Sequence, residues 1–317
     1  MKFFVAALSL VVASSLFGAK VTAVKTNIAE EGFQMYIVVE ALRALGHDVE
    51  VTEGVEYPIA YKTVAGEKED VAFMAANWDP LQNNMRKAVG DENLFIGGKY
   101  IENCAQGYLI DKKTAQAHNI KYINDLKDPK IAKLFDSSGN GKADLAGCAP
   151  GWGCETVIEH QLDAFGLRDT ITHNQGQYSA IVTDAIARYK TGKPILYYTW
   201  TPYWVSGKLV PGKDVVFLQV KESAHPVLDD TELPNGANYG FAVNSQRIVG
   251  NKKVEEYKDI ATLFNTMKLS VNDVSGENML MANGENKEKD VKRHAKMWIE
   301  NNKATFDKWI SEAKAAK

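Results

Sequence analysis

Cysteine is scarce here: three residues in a chain of 317. Cys148 and Cys154 have no second Cys pair or nearby His to complete a four-ligand metal site, so zinc binding is a weak reading. Neither sign of charge dominates. Lys and Arg total 37 against 40 for Asp and Glu, a net charge of −3, which argues against nucleic acid, a partner that favours a basic face. No internal stretch is long and apolar enough to span a bilayer. A nucleophile motif, a metal-ligand set and a nucleotide loop are all missing, which weighs against an enzyme, and no cofactor is expected. His160 in a helical stretch and His173 in a polar loop therefore read as solvated or structural. Repeats and low-complexity tracts are absent too.

What is present fits an exported globular protein. The length allows two domains, and 45% hydrophobic with 24% charged residues is ordinary for a folded chain. Residues 1–19 read as a signal peptide: Lys2 is the charged start, residues 3–12 the apolar run, and small residues lead to Gly18-Ala19. Cleavage is placed after Ala19, although bulky Phe17 sits three residues before that bond. No Cys follows the apolar run, so no lipid anchor is expected. Export to an oxidising compartment favours disulfides. Cys148 and Cys154 flank a turn rich in Pro and Gly and are expected to pair, leaving Cys104 as a buried, inert thiol.

Strand-like and helix-like stretches alternate. Strands are expected at 21–24, 48–51, 71–76, 106–110, 195–199, 214–220 and 239–243. Helices are expected at 30–45, 58–69, 155–165 and 179–189, with a mixed stretch at 123–135. A helical tail carries the stripe Val291, Ala295, Trp298, Phe306, Trp309, Ile310 and Ala313, in which Trp298 and Trp309 are core residues. Alternation of this kind implies an α/β fold with parallel sheets, whose ligands bind beyond the carboxyl ends of the strands. The expected organisation is two α/β domains joined by a two-crossing hinge. Lobe I takes residues 20–109 and 225–317, and lobe II takes 110–224. A cleft between hinged lobes is the geometry of solute-binding proteins.

Three tryptophans stand at or just past strand-like ends, beside Pro or Gly. Trp78 closes the run from Val71, Trp152 lies in the loop CAPGWGCE (148–155), and Trp200 ends the run from Pro194. Indole offers the best cation–π face among side chains, so three faces from separate segments make a cage for a quaternary ammonium group. Alone, Trp78 reads as a hydrophobic cap on its strand and the Trp152 loop equally as a stapled surface turn, and of Trp200 and Trp204 one faces the cleft and the other packs, Trp200 being taken for the cleft. The loop before residue 155 opens a helix, whose free N–H groups favour an anion, and Gly151 and Gly153 admit a ligand close to the backbone. Gln82 sits where it could donate to a carboxylate. Residues Asp136, Ser138, Asn140 and Asp144 resemble a truncated calcium loop with Gly147 at the position of the bidentate Glu; a polar turn bonding its own backbone is the favoured reading.

Over most of its length the chain resembles the periplasmic glycine betaine/proline betaine-binding proteins of osmoprotectant ABC transporters. The resemblance rests on AQGYLIDKK (105–113), LKDPKIAKLFD (126–136), the CAPGWGCE loop, THNQG (172–176), YYTWTPYWV (197–205) and LPNGANYGF (233–241). It implies a two-lobed type II solute-binding fold. It implies that Trp78, Trp152 and Trp200 box the trimethylammonium group, that backbone at Gly153 and Cys154 holds the carboxylate, and that Cys148 and Cys154 are joined. Better-known members place a His where this chain has Gln82, so a donor is kept but a charge is lost. The implied protein is periplasmic, binds a betaine, and serves a membrane permease and its ATPase; a monomer is expected because a transport receptor must present both lobes. Two rivals remain: a receptor for another quaternary amine, choline or carnitine, of which a choline site would not need the carboxylate-binding amides, and an exported enzyme using the same cleft.

Overall fold

A computed structural model describes residues 18–317. The expected signal peptide lies almost wholly outside the described residues. Its last residue, Ala19, is buried: its N–H donates to His47 Nδ1 at 3.0 Å, and its carbonyl accepts from the Asp48 amide.

Among the described residues ten strands form two five-stranded sheets, each the centre of one α/β lobe. The first sheet comprises β1 (Lys20–Ala23), β2 (Asp48–Val51), β3 (Val71–Asp79), β4 (Leu94–Cys104) and β10 (Asn244–Asn251), in the order β2-β1-β3-β10-β4. The second comprises β5 (Gln106–Asp111), β6 (Ala143–Ala146), β7 (Ile171–Asn174), β8 (Leu196–Trp200) and β9 (Val215–Phe217), in the order β7-β6-β8-β5-β9. The same pattern occurs twice. Three parallel strands are followed by one antiparallel strand, β10 in the first sheet and β5 in the second. In each sheet that fourth strand is the one the chain enters after crossing from the other lobe. The sheets are therefore mixed, which corrects the expectation of parallel sheets.

The first crossing is Ala105, between β4 and β5. Gln106–Asp111 pairs along its length with β8 and β9, so the whole strand belongs to the second sheet, and the chain changes sheets before the expected 109/110 boundary. The return runs through irregular chain between β9 and β10.

Four strands escaped the sequence reading: Leu94–Cys104, Ala143–Ala146, Ile171–Asn174 and Asn244–Asn251. Leu94–Cys104 contains Gly97 and Gly98, which weaken strand character. Their place is set by packing: a Cβ on Gly97 would lie 2.6 Å from the Phe264 carbonyl oxygen, and one on Gly98 would lie 2.3 Å from that of Asn265. Asn244–Asn251 has buried polar residues where an apolar alternation was sought. Asn251 Nδ2 donates to the Glu67 and Asp70 carbonyls, and Leu81 N donates to Asn244 Oδ1. Conversely, 239–243 is not a strand. Gly240 has φ +76° and its carbonyl accepts from Gln161, which turns the backbone out of an extended path, while Phe241 packs on Tyr108 and Tyr198 at 5.2 and 5.4 Å.

Helices Gly32–Ala44 and Lys258–Thr266 pack on the first sheet, Glu288–Asn301 packs on the former and Lys303–Ala315 on the latter, and Gly153–Ala164 and Tyr178–Lys190 belong to the second lobe. Val291, Ala295, Trp309, Ile310 and Ala313 of the tail are buried, and Trp298 stacks on Trp309 with centroids 5.8 Å apart. Cys104 is free and buried, and burial pushes its thiol up to about 12. Among the described residues no helix is long and apolar enough to cross a membrane. Because the groups facing Gly98 are backbone, Gly98→Ala is expected to destabilise the protein by about 1–3 kcal/mol, read as a lower urea midpoint with an unchanged slope.

Candidate functional site between the two lobes

The three tryptophans come together at the carboxyl ends of three parallel strands. Trp78 is the penultimate residue of β3, Trp200 is the last of β8, and Trp152 caps the helix that follows β6. All three line one small cavity with Ile28, Tyr57, Leu81, Gln82, Gln106, Gly153, Cys154 and Tyr198. Trp78 and Trp200 are buried in strands, whereas Trp152 is half-buried and spans the lobes. Its ring meets Tyr57 of lobe I edge-on at 6.4 Å and Trp200 of lobe II at 5.8 Å. Trp200 is backed by Tyr178 at 4.6 Å and Tyr203 at 4.4 Å. The cavity holds only about 30 Å³, room for little more than a water molecule. A larger cleft of about 870 Å³ shares Ile28 and Trp152 with it and is also lined by Glu30, Tyr203 and Trp204. Trp204 thus faces this outer cleft while Trp200 faces the inner cavity.

The polar side of the cavity is built from donors. Gln82 is buried, and its Oε1 accepts from the Trp78 amide at 3.1 Å and from Tyr61 Oη at 2.9 Å. A backbone N–H can only donate, so Oε1 is the tethered atom and the side-chain NH₂ is left for the cavity. Across the gap, the helix Gly153–Ala164 begins with no side-chain cap. The Gly153 and Cys154 amides precede the first intrahelical bonds, and neither has a carbonyl partner. Unpaired N–H groups at a helix start carry partial positive charge. Two backbone donors and one amide therefore face an aromatic wall: the site can take a carboxylate at one end and an apolar cation at the other.

At Gly153 the lobes approach closely. A Cβ there would lie 2.7 Å from the Leu81 carbonyl oxygen and 2.9 Å from Leu81 Cγ. The turn around Leu81 is held in turn by β10, through Asn244 Oδ1 and through the ion pair of Arg247 Nε with Asp79 Oδ2 at 2.6 Å.

The cysteines of the loop are joined, Cys148 to Cys154, with Cα atoms 6.0 Å apart. His173 supports the same loop. Its Nε2 accepts from the Cys148 amide at 3.0 Å, so Nδ1 carries the proton and donates to Glu159 at 2.6 Å. The residues of the calcium-like stretch bond their own backbone. Asp144 accepts from the amides and hydroxyls of Ser137 and Ser138, and Asp136 from the amides of Gly139, Asn140 and Gly141. Asn140 Oδ1 accepts from the Lys142 amide.

Tyr57, Tyr198, Gln106 and Ile28 escaped the sequence reading, as did Glu31 behind the cavity. Gln106 and Tyr198 stand in the stretches AQGYLIDKK (105–113) and YYTWTPYWV (197–205) without a signal that marks them as lining residues, and the others stand in no distinctive motif. Tyr57 precedes a Pro that starts a helix, and Glu31 reads as an ordinary acidic residue at a helix start. Glu31 bonds Tyr57 and Trp78 within lobe I, and only the meeting of the lobes brings that wall against Tyr198 and Gln106. Replacing both Cys148 and Cys154 with Ser removes a six-residue closure, which the chain-entropy account values at about 2 kcal/mol. The unfolding free energy from urea titration is expected to fall by that amount; no change would mean that His173 and the Leu81 contact already order the loop.

Residues 19–301 match the family described as the substrate binding domain of ABC-type glycine betaine transport system. The chain is 50% identical over 304 residues to the glycine betaine-binding periplasmic protein OusX of Dickeya dadantii (strain 3937), covering 94% of this chain and 91% of that protein. It is also 50% identical over 303 residues to the glycine betaine/proline betaine-binding periplasmic protein of Escherichia coli (strain K12), again over 94% and 91%. In fold it is similar to an ABC-transporter choline binding protein solved in complex with choline, with a TM-score of 0.71 and 16% identity over 94% of this chain and 96% of that one. With the family match spanning nearly the whole described chain, this protein belongs to the substrate-binding domains of ABC-type glycine betaine transport systems.

Proposed function

We propose that the protein captures glycine betaine or proline betaine in the periplasm and delivers it to the permease and ATPase of an ABC importer. The observation that carries this reading is the single cavity in which Trp78, Trp152 and Trp200 face Gln82, Gly153 and Cys154. A quaternary ammonium has no N–H to donate, so hydrogen-bond acceptors cannot select it. Aromatic faces attract its charge and match its apolar methyls, each contact contributing about 0.5–2 kcal/mol. The carboxylate is held by the Gly153 and Cys154 amides and by the Gln82 side chain, which supplies a donor without a positive charge. Three faces and a held carboxylate support micromolar affinity, on the order of −8 kcal/mol.

Entry needs the walls to part, because the cavity of about 30 Å³ is smaller than a trimethylammonium group. Lobe I brings Trp78 and Gln82, and lobe II brings Trp152, Gly153, Cys154 and Trp200. Opening about the crossings at Ala105 and in the β9–β10 segment would separate the halves of the cage, and ligand would favour the closed form because only that form offers both. The closed lobes are the surface a permease would read. The role is carriage rather than catalysis: the residues present bind both ends of the ligand and offer no nucleophile to it. The 50%-identical relatives named for betaine binding in the periplasm support the same reading, as does the signal-like residues 1–19.

Calorimetric titration of the mature protein with glycine betaine, proline betaine and choline tests it. Tight betaine and weak choline binding are expected; heat from none of the three would end the proposal. Trp152→Ala is expected to weaken betaine at least about tenfold, since it removes a wall shared by both lobes. Gln82→Ala is expected to weaken betaine about tenfold while leaving choline nearly unchanged, because a hydrogen bond to a charged group contributes about 1.5–3 kcal/mol and choline has no carboxylate to use it.

A further inference from the structure

One buried carboxylate has no part in the site as described. Glu31 is 8% exposed and lies behind the lobe I wall of the cage. Its Oε1 accepts from Trp78 Nε1 at 2.9 Å and from Tyr57 Oη at 2.5 Å, and its Oε2 accepts from Thr26 Oγ1. Trp78 and Tyr57 are both cavity-lining rings. Indole N–H is a donor only, and a carboxylate that receives three donors is matched by its ionised, acceptor-only form. Such bonds to a charged acceptor are about twice as strong as neutral ones, so they fix the orientation of both rings.

We propose that Glu31 is the charge-bearing support of the cage: its carboxylate positions Trp78 and Tyr57 and supplies the negative potential by which the cage prefers a cation. This rests on the cage reading above and deepens it. A ring whose N–H or O–H donates to an anion is polarised toward a more negative face, and cation–π attraction depends on that face. The charge itself also acts through a medium of low dielectric, where it reaches further than in water.

The surroundings make this charge conditional on pH. Burial, with Glu30 alongside, pushes the Glu31 carboxyl up to about 7, against the pull of its donors. The other titratable groups near it are Tyr57 and Tyr61 on the helix Tyr57–Gly66, both held neutral by burial. Lys25 lines a small cavity with Glu31, but its Nζ lies 3.5 Å from Glu288 Oε2 and pairs there. A bound cation favours the ionised form and lowers its pKa. Affinity is therefore full above about pH 7 and lost as pH falls below the pKa of the unliganded protein.

The test is calorimetric titration of glycine betaine into the mature protein between pH 6 and pH 8, a window in which this ligand does not titrate. Binding about tenfold weaker at pH 6 than at pH 8 is expected, with about half a proton released near pH 7 in buffers of differing ionisation heat. Glu31→Gln keeps an acceptor for the rings but not the charge; it should bind about tenfold more weakly at pH 8 and show no pH slope. Glu277, also raised to about 7 by burial beside His294, supplies the control: Glu277→Gln should keep the slope, which holds even if Glu31→Gln does not fold. A flat wild-type profile overturns the proposal, as does a slope that survives Glu31→Gln or vanishes with Glu277→Gln. Wild-type protein silent at every pH would instead reject the cage reading itself.

Discussion

The two lobes can share one cavity because a residue without a side chain stands between them. Gly153 brings the start of a lobe II helix against the Leu81 carbonyl of lobe I, closer than any Cβ would allow. Around that contact lie the donors and the aromatic faces, and neither lobe holds a complete set. Trp78 and Gln82 are fixed by β3 and β10, Trp200 by β8, and Trp152 by the disulfide loop after β6. The site is thus a property of the interface, and the strength of the interface is tied to whatever occupies it.

The polar chemistry of the cavity is set by bonds that point away from it. Gln82 is turned by the Trp78 amide and by Tyr61, so its donor side is the free one. His173 holds the Cys148 amide and is itself held by Glu159, which keeps the loop in shape without a role at the ligand. Trp78 donates its ring N–H to Glu31. In each case a buried polar group must find a partner or leave a desolvated donor or acceptor unpaired. That requirement translates into the orientation of a neighbouring group. On the proposed betaine reading, a neutral amide at position 82, where the resemblance would place a His, would leave more of the carboxylate's recognition to the backbone amides of Gly153 and Cys154.

Much of this was legible before any coordinates. The strands at 48–51 and 106–110, the helices at 58–69 and 179–189 and the tail stripe carry periodicities that local sterics and burial enforce, and they stand where expected. The loop with Cys148, Gly151, Trp152 and Cys154 announced itself because Pro, Gly and paired Cys are costly anywhere else. Leu94–Cys104 and Asn244–Asn251 were not legible. Their glycines and buried amides suit partners distant in sequence, such as the Asn265 carbonyl and the Glu67 carbonyl. The extended look of 239–243 misled for the converse reason: Gly240 spends its freedom on a turn that places Phe241 beneath the second sheet.

What the sequence by itself determined is the set of parts. It names three indoles at strand ends, a stapled helix start and two α/β patterns, because those depend on neighbours within a few residues. The tertiary structure decided which parts meet. Glu31 and Tyr57 reach Trp78 within lobe I and Tyr198 lies beside Trp200 on β8, but the two groups share one cavity only once the sheets turn their carboxyl ends toward each other. Side chains far apart in the chain share a cavity through packing across lobes, and no short-range periodicity records that distance.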